Sequence, residues 1–132
     1  MSTSENLFME WIRKGENDLK TARLVLAAED GPLDTVCFHA QQLAEKALKA
    51  LLTHRKIRFS KTHSLQLLLD LLADSDFEKY REACIILSGY AIEARYPGDC
   101  TDPEREEAEE AVRMGSEIYK AVLQTLKLEA TP

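Results

Sequence analysis

The chain has no excess of positive charge. Its 17 lysines and arginines are outnumbered by 23 aspartates and glutamates, giving a net charge of -6. A global basic field for gripping nucleic acid is therefore excluded, and any such contact must come from a local patch. It has only three cysteines, Cys37, Cys84 and Cys100, widely spaced and without a CxxC pair. That pattern speaks against a disulfide framework and for reduced thiols in a cytoplasmic protein. There is no long hydrophobic run. The most apolar stretch, 65–72, is interrupted by Gln66 and Asp70 and is far too short to span a bilayer. The first residues lack a basic start followed by an apolar core, so a secretion signal is not expected. His39, His54 and His63 fall into no HxxxH or HExxH spacing, and no cysteine sits at finger spacing, so no metal site and no cofactor is expected. A P-loop, a GxGxxG fingerprint and a GxSxG elbow are all missing.

What is present is helical periodicity, with no strand-like alternation beside it. With 132 residues and 45% apolar composition, the chain fits one globular domain, with an ordered core of about 4–127. Five helices are predicted. The first, over about 4–29, carries Phe8, Trp11, Ile12, Gly15, Leu19, Ala22, Val25 and Leu26 on one face, with Ser4 as a plausible N-cap. Asp30-Gly31-Pro32 ends it, because glycine accepts the left-handed terminal conformation and proline cannot continue a helix. The second runs over about 32–54 on a stripe of Val36, Ala40, Leu43, Ala44, Ala47, Leu48 and Leu51. Its alanines make it slim enough for close approach of a neighbour. A short third helix over about 65–73, capped by Ser60 or Thr62, is leucine on nearly every side, which suggests that a second subunit covers part of it. Ser75-Asp76-Phe77-Glu78 has the form of a capping box opening a fourth helix to about 94. Asp102-Pro103 opens the fifth, whose early glutamates complement the helix dipole. The expected fold is all-α: an up-and-down bundle, a four-helix core plus one short helix, with sequence neighbours antiparallel.

Three places can carry chemistry. Opposite the apolar stripe of the second helix, His39, Gln42, Lys46, Lys49 and Thr53 recur at helical spacing. They form either a row of donors for a phosphate or partner, or an ordinary solvated face. Charge is also segregated along the chain. Six basic residues and no acid lie within 46–61, whereas seven acids and one base, Arg105, lie within 99–110. A basic patch can seat an anion, pair subunits or simply keep a protein soluble. Arg95-Tyr96-Pro97-Gly98 places a guanidinium and a ring where the fourth helix ends. The arginine can fork onto a phosphate and the tyrosine can stack on a base, or the pair can serve the helix terminus. His63, in Thr-His-Ser-Leu, lies at a helix start, where it orients a side chain or completes a cap.

Trp11, the string 37–51 (CFHAQQLAEKALKAL), Thr62-His63-Ser64-Leu65 and Arg95-Tyr96-Pro97 together resemble the HEPN domain family of prokaryotes. The match extends over roughly 7–126. The resemblance implies a helical bundle, usually a homodimer, often paired with a small nucleotidyltransferase in toxin–antitoxin-like systems. Some members are metal-independent ribonucleases; others are regarded as nucleotide- or RNA-binding modules. The ribonuclease branch uses an arginine, four to six intervening residues and a histidine. Arg95 matches that arginine by position, but no histidine follows it. Arg58 and His63 have the spacing, with four residues between, in the wrong place in the chain. The resemblance therefore implies a dimeric binding module, with His39, Gln42, Lys46, Lys49, His63, Arg95 and Tyr96 as ligand-binding candidates. Catalytic candidates are restricted to Arg95, His63 and Arg58. A ribonuclease toxin and a pure assembly partner are the rival readings, and no membrane association is expected.

Overall fold

The computed structural model describes residues 3–91 and 102–130. Among these, the chain folds into five α-helices and no strand: α1 (Thr3–Ala27), α2 (Leu33–His54), α3 (Leu65–Leu72), α4 (Arg81–Ser88) and α5 (Arg105–Ala130), with a 3-10 turn over Ser75–Tyr80 leading into α4. The all-α bundle expected from periodicity is the observed architecture.

The organising element is α2. Its side chains from Val36 to Leu52 are mostly buried, including every residue of 47–52. The four alanines at 40, 44, 47 and 50 are fully buried. Small side chains here let α1 and α5 approach closely on two sides. Gly15 of α1 lies against Leu43, Lys46 and Tyr119, and Gly115 of α5 lies against the Ala40 carbonyl. α1 runs antiparallel to α2, as Asp18 meets His39 and Lys46 while Phe8 meets His54. α5 runs parallel to α2: Gly115 is opposite Ala40 and Glu129 is opposite Arg55. Spatial neighbours are thus not all antiparallel, because the hub packs against a helix three elements later in sequence.

After α2 the chain turns back on itself. Lys56 adopts a left-handed φ of 60, and the Ile57 amide donates to the Leu52 carbonyl at 2.9 Å. Residues 57–64 then run back along α2 as a strap, reaching Gln41 and Glu45 before α3 begins. α3 then runs in the same direction as α2, from His63 beside Glu45 to Asp74 beside Arg55, so these sequence neighbours are parallel and not antiparallel as expected, because the strap has already brought the chain back; α4 returns antiparallel to α3. This is fixed at one end by Arg81 on Asp70 (2.8 Å) and at the other by the Leu65 amide donating to Ser88 Oγ (3.0 Å). Two arginines tie the ends of the bundle. Arg105 donates to the carbonyls of Leu26 and Ala28 at the end of α1, the latter also accepting from the Gly31 amide. Arg55 pairs with Asp74 and Glu129.

Several local expectations need correction. Ser4 lies inside α1. Gly31 is not left-handed; it is required because a Cβ there would lie 2.1 Å from the Val25 carbonyl oxygen. Pro32 precedes α2 as its N-cap residue instead of lying within it. Neither Ser60 nor Thr62 caps α3. Ser64 does, its Oγ accepting from the Leu67 amide at 3.2 Å, while Thr62 Oγ1 accepts from the Ser64 amide. The cap before residue 75 is Asp74, which accepts from the Asp76 amide, and the segment it opens is 3-10 before it becomes α-helical. α4 ends at Ser88, and 92–101 lie outside the described residues. α5 starts at Arg105, after Asp102 and Pro103. Within one chain Leu65, Leu68, Leu69 and Leu72 of α3 face the core and Leu67 is 40% exposed, so the chain itself covers only part of this leucine-rich helix.

The two interface glycines should respond oppositely to alanine. At Gly115 a Cβ would lie 2.7 Å from the Ala40 oxygen, a backbone atom that cannot step aside, whereas at Gly15 the nearest atoms are at 3.6–3.7 Å. Urea unfolding should show Gly115→Ala destabilised by about 1–3 kcal/mol. Gly15→Ala should be neutral or stabilised by up to about 1 kcal/mol, since glycine is the poorer helix former. Equal midpoints would contradict the close α2–α5 approach.

Candidate functional site: a buried polar row on α2 and the strap that covers it

A helix enclosed on most sides still carries polar residues, and a buried charge is tolerable only when paired and hydrogen-bonded. Two clusters meet this demand. Toward the α1 side, Asp18, only 6% exposed, accepts from His39 Nδ1 at 2.7 Å and from Lys46 Nζ at 2.6 Å. Toward the strap, Glu45, 4% exposed, accepts at Oε1 from Gln41 Nε2 (3.0 Å) and His63 Nδ1 (2.8 Å), and at Oε2 from Lys49 Nζ (2.9 Å). Gln41 also donates to the His63 carbonyl at 3.2 Å and accepts from Gln42 Nε2 at 2.7 Å. Among the described residues no buried side-chain nitrogen or oxygen is left without a partner.

Burial alone would raise the Glu45 carboxyl. The hydrogen bonds from Gln41, His63 and Lys49, together with the Lys49 charge, outweigh it and hold its pKa below the usual 4.5. Lys49 is sheltered by two rings, lying 5.5 Å from the centroid of Trp11 and 5.8 Å from that of Phe59. Trp11 comes from α1 and Phe59 from the strap, so this ammonium holds together three segments.

The sequence candidates separate accordingly. His39, Gln42, Lys46 and Lys49 do lie on one side of α2, but that side is covered by α1 and the strap, and their polar atoms have partners inside the protein. Of the six basic residues within 46–61, Lys46, Lys49 and Arg55 are in ion pairs. Lys56, Arg58 and Lys61 are exposed, with no ion-pair partner among the described residues. His63 stands between the two groups. One ring nitrogen is held by a buried carboxylate while its side chain is 66% exposed. Arg58 is exposed on the same strap. Arg95 and Tyr96 lie outside the described residues. Cys84 is buried, and burial pushes its thiol up to about 12, which makes it a poor nucleophile at neutral pH.

Sequence reasoning missed Asp18, Gln41 and Glu45. A signal was available for the last two: Gln41, Glu45 and Lys49 recur every four residues within an otherwise alanine- and leucine-rich helix, so they stack on one line of the surface. Asp18, flanked in space by apolar positions on α1, had no such pattern around it.

These features define an all-α domain built on an enclosed helix, with a basic strap locked to its polar row. The chain belongs to the HEPN domain family, whose model matches residues 8–126. Among solved structures it is similar to TT1696 from Thermus thermophilus, at 33% identity and a TM-score of 0.73 over 89% of this chain and 96% of that one. It is also similar to ST0689, an archaeal HEPN homologue, at 26% identity and a TM-score of 0.72 over 95% and 98%. None of the curated proteins matches the chain. Among the described residues no helix is long and apolar enough to cross a membrane, and no cluster of metal-ligating side chains occurs.

The Glu45 network should dominate stability and its pH dependence. Glu45→Ala leaves Lys49 buried without a partner and should cost about 3–5 kcal/mol at neutral pH; the double variant Glu45→Leu/Lys49→Met, with no buried charge, should recover most of that. Because the folded carboxyl has the lower pKa, its contribution is complete above 4.5 and fades as pH falls through the folded value. The gap between wild type and Glu45→Gln should therefore narrow in acid. A gap independent of pH would contradict the pairing.

Proposed function

We propose that this HEPN domain is a binding module for an anionic ligand of the nucleotide or RNA class, acting as a homodimer, and that the strap is its contact surface. The observation that carries this reading is the sorting of cations. Lys46 and Lys49 of α2 and Arg55 at its C-cap are paired with carboxylates, while Lys56, Arg58 and Lys61 are exposed without acidic partners among the described residues, beside an exposed His63. In a chain of net charge -6, a local cluster of uncompensated cations supports anion recognition. His39, Gln42, Lys46 and Lys49 act in this reading behind the strap, fixing its position, with Lys46 and Lys49 holding the carboxylates that the histidines use. Arg95 and Tyr96 add a guanidinium and a ring to the ligand on the strength of the sequence. A small nucleotidyltransferase, the partner the family resemblance implies, is a second occupant of the same charged surface, as in a toxin–antitoxin-like pair.

A ribonuclease reading has one observation in its favour. Glu45 orients the His63 ring from behind, as a carboxylate orients a general base, and Arg58 lies four intervening residues away on the same strap. Metal-independent cleavage of single-stranded RNA in the presence of chelator, abolished in both His63→Ala and Arg58→Ala, would establish it; intact RNA would leave the binding module.

Binding itself is tested by calorimetry with ATP and with a short single-stranded RNA. His63→Ala, Arg58→Ala and Arg95→Ala should each weaken the ligand that binds by about tenfold, the loss expected for one hydrogen bond to a charged group. Unchanged affinity in all three would contradict the assignment. The dimer is tested separately. Leu67, Ile85 and Ile86 are 40–54% exposed on the packed α3–α4 pair, an apolar surface that a second copy would cover. Light scattering should give twice the 14.9 kDa chain mass, reverting to one chain in Ile85→Glu.

A further inference from the structure

The strap combines its cations with aromatic surface. Ile57 and Phe59 turn inward and pack on the core, while Arg58 between them is exposed. The Phe59 ring meets Trp11 with centroids 6.4 Å apart and planes tilted by 57°. Lys49 lies near both rings from within, so their placement is set by a buried charge and not by chance contact. Neither ring is buried; both remain part of the surface. Beside Trp11, Leu7, Glu10 and Lys14 frame a hollow of about 240 Å³, and Leu7 itself is 55% exposed.

Aromatic surface beside exposed cations is the pairing that unstacked bases and their phosphates require: the base lies on a ring, and the backbone tracks the positive groups. The form of the ligand follows from the layout. A mononucleotide concentrates its charge in one cluster, whereas Arg58 and Lys61 are spread along a non-helical segment and Lys14 stands on α1. An apolar peptide would leave these cations without partners. A duplex keeps its base faces stacked inside and cannot use the rings.

We propose that Trp11 and Phe59, with Arg58, Lys61 and Lys14 around them, form a stacking subsite for a single-stranded polynucleotide. This rests on the reading of the strap as an anion-binding surface and adds the ligand's form and the residues that hold its bases.

Trp11 is the only tryptophan, so its emission reports on this subsite directly. The full chain is titrated with unstructured oligo(A) and oligo(U) RNA of about twelve nucleotides, with an oligo(dA) strand of equal length, with ATP, and with inorganic polyphosphate. Calorimetry is run on the same samples. The single strands should quench Trp11, oligo(A) most strongly, whereas polyphosphate should bind without quenching and ATP only weakly. Phe59→Ala should weaken oligo(A) about tenfold. Raising salt from about 50 to about 200 mM should weaken it roughly 20-fold if three phosphates are met. Arg58→Glu, at an exposed position, should lose a comparable factor and decides the matter if Phe59→Ala proves unfolded by circular dichroism. Calorimetric binding of the strands with unchanged Trp11 emission, or quenching insensitive to these substitutions, would overturn the subsite while the anion-binding strap stands. No heat with any polyanion would overturn both.

Discussion

α2 must be enclosed, and it carries charge. That one constraint organises the rest of the molecule. A helix mostly buried from Val36 to Leu52 cannot leave Glu45, Lys46 and Lys49 without partners, because an unpaired charge in that setting would cost a large part of the domain's margin of stability. The partners must come from the elements that cover it. α1 supplies Asp18 for Lys46 and His39. The strap supplies His63 for Glu45, and Phe59, with Trp11, for Lys49. The strap's course along α2 is thus dictated by the chemistry of the helix beneath it. Residues 57–64 form no helix or strand of their own; they are held by Ile57, Phe59 and His63.

The same constraint sorts the cations. Lysines and arginines that reach inward end in ion pairs, and Arg55 and Arg105 clamp opposite ends of the bundle. What remains on the strap is a short stretch of uncompensated charge, near the end of the bundle where α2 and α5 finish. The acidic start of α5 lies at the other end, where Arg105 meets the end of α1 and Tyr90 bonds Glu107. An acidic protein thereby presents a local basic surface that its overall composition conceals. In the proposed reading, fixing an extended segment with a buried network also serves recognition: the His63 ring, already held by Glu45, loses little freedom on binding, so less of the interaction is offset by ordering.

Much of this fold was legible in the sequence. The apolar positions of α1, α2 and α5 repeat with helical spacing and bury as that spacing implies, and Asp30-Gly31-Pro32 separates α1 from α2. The alanines of α2 correctly signalled close approach. What periodicity could not give is how many neighbours a helix has. A row such as His39, Gln42, Lys46 and Lys49 reads as a solvated face because polarity normally marks solvent; here polar partners on other segments take the place of water. The partner of Lys46 is Asp18, 28 positions away, and such pairing is invisible to any local pattern. The leucines around α3 signal burial on nearly every side, and within one chain Leu67 is the side left exposed on the α3–α4 pair. The ends of α3 and of the 3-10 turn depended on which of several adjacent polar residues captured an amide, a choice among near-equals at Thr62, Ser64, Asp74 and Ser75.

α2 is the enclosed hub, and its polar row holds the strap in place. Hydrogen–deuterium exchange resolved by residue tests this most directly. The amides of 40–52 should exchange slowest, through global unfolding alone, and the Ile57 amide, bonded to the Leu52 carbonyl, should be protected with them. Exchange of α2 as fast as that of the outer helices, or an Ile57 amide that opens freely while α2 stays closed, would contradict it.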